Sequence, residues 1–339
     1  MHESLPTISI LIPTLNAEKT LGECLTQISR QDYPKDKIEI IVADGGSTDG
    51  TIALASQFGA IVTPNPLKTG EAGKAAALKI ANNELIALID SDNYLPSPDW
   101  LSKMVQPFAD PEIIGSEPLE YTYRPTDGLI TRYCALLGMN DPICLFLGNY
   151  DRYCHLTGRW TDMPVRTEDK GAYYKLTLEK NAVPTIGANG TLIRRSLIAD
   201  SVGDYLFDID EIYGLMLRGC NKFAKVKIGI IHVFSGTVST FIRKQKRRIR
   251  DYAYYQKLGV RKYPWDQMNV KGLLTFILYA AFWLPTFCQA CRGYLKIRDK
   301  AWFFHPLACW LTLWVYGTSR IAQHLFGTKE MDRQHWTQQ

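Results

Sequence analysis

Asp90-Ser91-Asp92 sets two carboxylates one residue apart, at the end of the run LIALID (85–90). Around a strand end, alternate residues can send both carboxylates toward one hard cation. Mg²⁺ typically takes one or two protein carboxylates and fills its shell with waters and phosphate oxygens. A lone D-x-D is common in solvated turns, so its weight comes from its neighbours. Three other strand ends carry polar residues: Pro13-Thr14-Leu15-Asn16, Asp44-Gly45-Gly46-Ser47-Thr48-Asp49-Gly50, and Lys68-Thr69-Gly70-Glu71-Ala72-Gly73-Lys74. Asp44 and Asp49 are both residues that hold turns or cap helices; Asp49 reads as a cap and Asp44 as functional. The glycines of the third segment are misspaced for a P-loop. No G-x-G-x-x-G follows the first strand, which disfavours a dinucleotide, and no G-x-S-x-G elbow offers a serine nucleophile.

Strands and helices must alternate to bring these segments together. TISILIP (7–13), KIEIIVA (37–43), AIVT (60–63) and LIALID (85–90) read as strands. Residues 17–31 show helical spacing of Leu21, Leu25 and Ile28, and residues 71–82 read as a helix. Apolar strands separated by short helices predict an α/β fold with a mostly parallel sheet covered on both faces. Ligands of such sheets bind at the carboxyl ends of the strands, where the polar segments fall. At 46% hydrophobic, the 339 residues can bury a core, so disorder is excluded.

Charge divides the chain. Residues 241–339 hold 17 Lys/Arg against 5 Asp/Glu, leaving 22 and 29 for the first 240. An anionic partner for the basic end is expected, either nucleic acid or membrane. Two charge-free runs decide for membrane lipids and against nucleic acid: 20 residues between Lys271 and Arg292, and 19 between Lys300 and Arg320. At about 1.5 Å per residue each could cross a hydrocarbon core about 30 Å thick. Pro285 and the His305-Pro306 pair could instead bend them into a re-entrant or in-plane arrangement. The stretch Arg243–Arg250 reads as a basic helix against anionic headgroups. The eight cysteines form no paired zinc pattern, and MHESLPT runs straight into a strand, so a reducing, cytosol-facing protein without secretory signal is expected. The expected division is a catalytic domain over 1–235, an interface helix and linker over 236–270, two membrane helices over 271–326 and a tail over 327–339.

Taken in order, ISILIPTLNAEKTLGECLTQISRQDYP, IEIIVADGGSTDGT, the Gly70–Lys74 segment and LIALIDSDN resemble the family 2 glycosyltransferases, which have the GT-A fold. The resemblance covers about the first 110 residues well and Gly187–His232 more weakly. It implies an inverting, metal-dependent transfer from a nucleotide-sugar, a UDP-sugar foremost, to a lipid-linked or glycan acceptor at the cytoplasmic face of the inner membrane. A non-catalytic, membrane-associated scaffold of the same fold is the alternative. The donor-binding set it implies is Pro13, Thr14, Asn16, Asp44, Gly46, Lys74, Asp90 and Ser91. Arg248 joins that set through a stretch similar to Q-x-x-R-W, with Ile249 in place of the Trp. Asp90 and Asp92, with His232 as a third ligand, would hold Mg²⁺ or Mn²⁺. Gly187, Ala188, Asn189 and Gly190 match the acceptor side. For the general base, Asp208 follows that segment at the family position; Asp210 and Asp169, the latter in Thr167-Glu168-Asp169, stay open.

Overall fold

The computed structural model describes residues 5–264 and 269–327. The chain runs β1 (Ile8–Thr14), α1 (Glu18–Ser29), β2 (Ile38–Asp44), α2 (Thr51–Gln57), β3 (Ile61–Pro64), α3 (Gly70–Ile80), β4 (Leu85–Leu88), β5 (Asn93–Tyr94), α4 (Trp100–Val105) and β6 (Ile113–Tyr121). It continues through α5 (Leu129–Leu137), α6 (Ile143–Leu147), β7 (Arg166–Asp169), β8 (Tyr173–Thr177), β9 (Thr191–Arg194), α7 (Asp208–Leu217) and β10 (Lys222–His232). Four helices follow: α8 (Val238–Lys257), α9 (Val270–Phe282), α10 (Leu284–Lys296) and α11 (His305–Phe326).

Two compact units result, 1–119 with 164–232 and 120–163 with 233–339. The expected continuous domain over 1–235 therefore ends close to its predicted boundary but omits residues 120–163.

The first unit is built on a sheet of order β3-β2-β1-β4-β9-β6-β10-β8-β7, with β5 paired to β10. From β3 to β4 the strands are parallel, as the sequence predicts. Beyond β4 the sheet is mixed: β9 joins β4 antiparallel, and β8 lies antiparallel to both β10 and β7. The tight turn through Gly171, at φ 80°, permits the β7–β8 hairpin that a parallel pair could not use. β1 is buried almost throughout because the sheet is covered on both faces. The predicted strand and helix limits lie within about two residues of those observed.

In the second unit, Tyr133, Tyr150, Phe241, Trp302 and Leu311 belong to one apolar cluster. The apolar run expected as one helix over 272–291 is two helices of 13 residues, α9 and α10, bent by 93°. The break falls at Trp283, whose φ is 58°, beside Pro285 in the first turn of α10. Proline lacks the amide hydrogen and its ring obstructs the preceding turn, which ends the first helix there. The second run begins as a 3₁₀ turn and continues as α11. Among the described residues no single helix is long and apolar enough to cross a membrane; α9 and α10 pass that test only as a pair. Most of the expected 327–339 tail lies outside the described residues.

Candidate functional site

β1 and β2 run in register to their ends, so Thr14 and Asp44 stand side by side. The Thr14 hydroxyl donates to Asp44 Oδ1 at 3.0 Å, and Asp44 Oδ2 accepts the amides of Gly46 and Ser47 at 2.8 and 2.7 Å. Asn16, at φ 51°, accepts the Thr48 amide on Oδ1 at 2.8 Å. Asparagine tolerates this left-handed conformation better than most residues. Asp44 and Asn16 thus shape the turn that Gly46, at φ 89°, completes. Asp49 accepts the amide and hydroxyl of Thr51, the turn duty its sequence suggests, while the cap position of α2 is Gly50.

α3 starts at a Thr69 cap, whose hydroxyl accepts the Ala72 amide at 3.0 Å. A Cβ on Gly73 would come 2.7 Å from Pro13 Cβ, so glycine lets this helix lie against the end of β1. Lys74 follows and is 5% exposed. The Leu206 amide donates to the Glu71 carbonyl at 2.9 Å and ties α3 to the segment entering α7. As a result Lys74 Nζ lies 3.4 Å from Asp208 Oδ1 and 3.7 Å from Asp90 Oδ1.

This trio joins neighbouring elements, α3 and the turn after β4, to α7 more than 110 residues later. Burial alone would push the Lys74 ammonium down, but the carboxylates of Asp208 and Asp90 hold it above its ordinary value. Burial pushes the Asp208 carboxyl up to about 6, against the opposing pull of Lys74. Such a group is mostly ionised at neutral pH yet basic enough to take a proton.

Asp90 to Asn93 form a tight turn closed by the Asn93 amide on the Asp90 carbonyl at 2.9 Å, with half-buried Ser91 inside it. Asp92 Oδ1 lies 3.6 Å from His232 Nε2 at the end of β10. Fully buried Asn93 donates to Asn189 Oδ1 at 3.1 Å and so links the D-x-D turn to the Gly187–Gly190 segment. Gly190 has φ 82°, and a Cβ there would meet Ile230 Cδ1 at 2.7 Å and the Trp100 ring at 3.0 Å. Ala188 is buried, and the Gly187 amide donates to Glu117 Oε1 at 3.3 Å. Glu117 is itself fully buried in an ion pair with Lys225.

Among the described residues, no group of three or more His, Cys, Asp or Glu side chains converges as a metal cage. The carboxylate of Asp92 and the imidazole of His232 nevertheless form a donor pair that suits a hard or borderline divalent ion with free positions for phosphate oxygens.

Two base alternatives stand elsewhere in the same unit. Asp169 lies on the exposed edge strand β7, bonded to Lys227 at 2.6 Å and to the Gly171 amide at 2.8 Å. Asp210 is 1% exposed in the first turn of α7. Arg248 belongs to the second unit, where it lies 2.7 Å from Gln245 Oε1 and 3.3 Å from Asp141 Oδ2. Asn93, Trp100 and Glu117 escaped the sequence reading. Asn93 directly after the D-x-D was the available signal; Glu117 in GSEPLE and Trp100 in SPDWLS match no motif and signal nothing alone.

Residues 9–161 match the family model described as glycosyl transferase family 2. Glycosyltransferase AglE of Haloferax volcanii is 28% identical over 147 residues, 41% of this chain and 48% of that protein. A Methanococcus voltae protein is 32% identical over 108 residues, 30% of this chain and 33% of its own length. It is named dolichyl N-acetyl-alpha-D-glucosaminyl phosphate 3-beta-D-2,3-diacetamido-2,3-dideoxy-beta-D-glucuronosyltransferase. The matches thus span half or less of these relatives. Among solved structures, the mannosyltransferase PcManGT from Pyrobaculum calidifontis, in complex with GDP-Man and Mn²⁺, shares the fold with a TM-score of 0.52. It is 17% identical and covers 96% of this chain and 89% of that one.

Proposed function

We propose, for a chain whose residues 9–161 match the glycosyl transferase family 2 model, that the protein transfers a sugar from a nucleotide-sugar to an acceptor hydroxyl with inversion. The Lys74–Asp208–Asp90 juxtaposition carries this reading. Asp208 is the general base. It takes the acceptor's proton while that oxygen bonds to the anomeric carbon and the bond to the nucleoside diphosphate breaks. Thr14, Asn16 and the Asp44–Gly46 turn form the nucleoside side of the site, with Asp44 as its fixed anchor. Lys74 holds positive charge beside the two carboxylates. Asp92 and His232, with Asp90 alongside, would hold Mg²⁺ or Mn²⁺, which offsets the charge developing on the departing diphosphate. Gly187–Gly190 borders the acceptor.

A UDP-sugar is the donor to test first. A lipid-linked acceptor suits the apolar second unit, and one relative takes its name from a dolichyl phosphate-linked sugar. Val270, Leu274, Leu278 and Phe282 recur every fourth residue along α9 and are each more than half exposed. A helix of 13 residues spans only about 20 Å, short of the roughly 30 Å hydrocarbon core. On that length the bent pair is read as lying in one leaflet rather than crossing the membrane, and the basic helix α8 before it favours the cytoplasmic face of the inner membrane.

The test compares Asp208→Asn with Asp169→Asn, reading nucleotide affinity and transfer for both. Asp208→Asn is expected to keep nucleotide affinity and lose transfer by about 10² to 10⁴. Asp169→Asn should lose little. A dead Asp169→Asn beside a live Asp208→Asn would reverse the assignment.

A further inference from the structure

The second unit carries a cleft of about 530 Å³ formed by α8 and α11. Tyr252, Gln256 and Lys257 line it from α8; Arg320, Gln323 and His324 line it from α11. Among the described residues the lining thus offers two permanent cations, an imidazole and two amides, and no carboxylate. The Arg320 guanidinium lies 5.4 Å from the centre of the Tyr252 ring. Stacked in this way, a guanidinium still presents its N–H edge for paired hydrogen bonds to a phosphate.

Apolar side chains adjoin these polar groups on the same helices. Ile321, Leu325 and Phe326 are each more than 60% exposed near the end of α11, and Leu258 is half exposed at the end of α8. Solvent-exposed apolar side chains beside a cationic hollow suit a ligand with a phosphate and hydrocarbon chains. A free phosphate would use the cations and leave the apolar residues without a partner. Arg243, Lys246 and Arg250, exposed on α8, add attraction for an anionic surface.

We infer that this cleft binds the phosphate headgroup of an anionic membrane lipid. The inference rests on the membrane-surface reading of the second unit and assigns that surface a specific lipid site.

The full-length chain in neutral detergent is titrated with short-chain phosphatidylglycerol, with phosphatidylcholine and with inorganic phosphate, reading Tm. Phosphatidylglycerol is expected to raise Tm saturably, and the other two to leave it unchanged at equal concentration. Lys257→Gln with Arg320→Gln should weaken the phosphatidylglycerol response at least about tenfold, while Arg320→Lys, which keeps the charge but loses the stacked fork, should weaken it less. All these side chains are exposed, so the unliganded Tm of each variant should match the wild type. An equal response to inorganic phosphate overturns the lipid as ligand, and a response untouched by the double variant overturns the cleft as its site. Flotation with pure phosphatidylcholine vesicles reads the apolar membrane surface separately. Failure to float with a selective phosphatidylglycerol response defeats the membrane reading and upholds the cleft. Flotation without that response does the reverse.

Discussion

Replacing Lys74 with Met removes an ammonium that holds the Asp208 carboxyl down against burial. The sign follows from charge: without Lys74 the ionised form loses its partner and the pKa rises further. The acid limb of kcat/KM, expected near pH 6 in the native protein, should therefore move to higher pH in Lys74→Met. A pH profile of transfer checks this; an unmoved or downward limb would remove Asp208 from the role of base. Stability responds to the same group. A carboxyl held up in the folded state keeps a proton that the unfolded chain releases, so its contribution falls as pH rises from the ordinary carboxylate range through about 6. At this scale the sequence was legible where a motif names a residue, as for Asp90, Asp92 and Lys74. It was opaque where a role depends on a distant partner. Asn93 reads as any turn residue until Asn189, 96 positions later, is found beside it.

The Gly187–Gly190 segment shows how elements set what a residue can be. Gly190 combines a left-handed backbone with close approach to Ile230 and Trp100. Gly190→Ala should lose at least about 2 kcal/mol, since overpacking costs about 1–3 kcal/mol and the left-handed conformation adds about 1–2. Chemical denaturation measures the loss. Adding Ile230→Val removes the Cδ1 nearest the new methyl and should restore part of the stability, leaving the Trp100 contact and the backbone share. No recovery would place the cost in those two. The parallel strands were legible because burial on both faces writes continuous apolar runs. The bend in α9–α10 was half legible: Pro285 marks a break, but its 93° angle depends on Trp283 turning to φ 58°. Composition alone reads 20 charge-free residues as one rod.

For the whole molecule, the split into two units was the least legible feature, because residues 120–163 leave the first unit and the chain later returns to it. The apolar stripe on α9 makes the membrane reading testable in the intact protein. Leu278→Lys places a charge on a residue already 55% exposed, so folding should be spared. Binding to phosphatidylcholine vesicles should fall at least about tenfold, because a buried leucine contributes about 1.5–3 kcal/mol. Flotation measures it, and unchanged binding would point to another surface. The place of β9 between β4 and β6 also bears on how the protein is made. During synthesis β4 emerges long before Thr191–Arg194, the residues that pair with it. At about 5–20 residues per second the ribosome needs roughly 5 to 20 s to travel from Leu88 to Arg194. For that interval the growing chain carries an open, apolar strand edge that a neighbouring nascent chain could join. Its yield in a cell should depend on how densely ribosomes crowd its message.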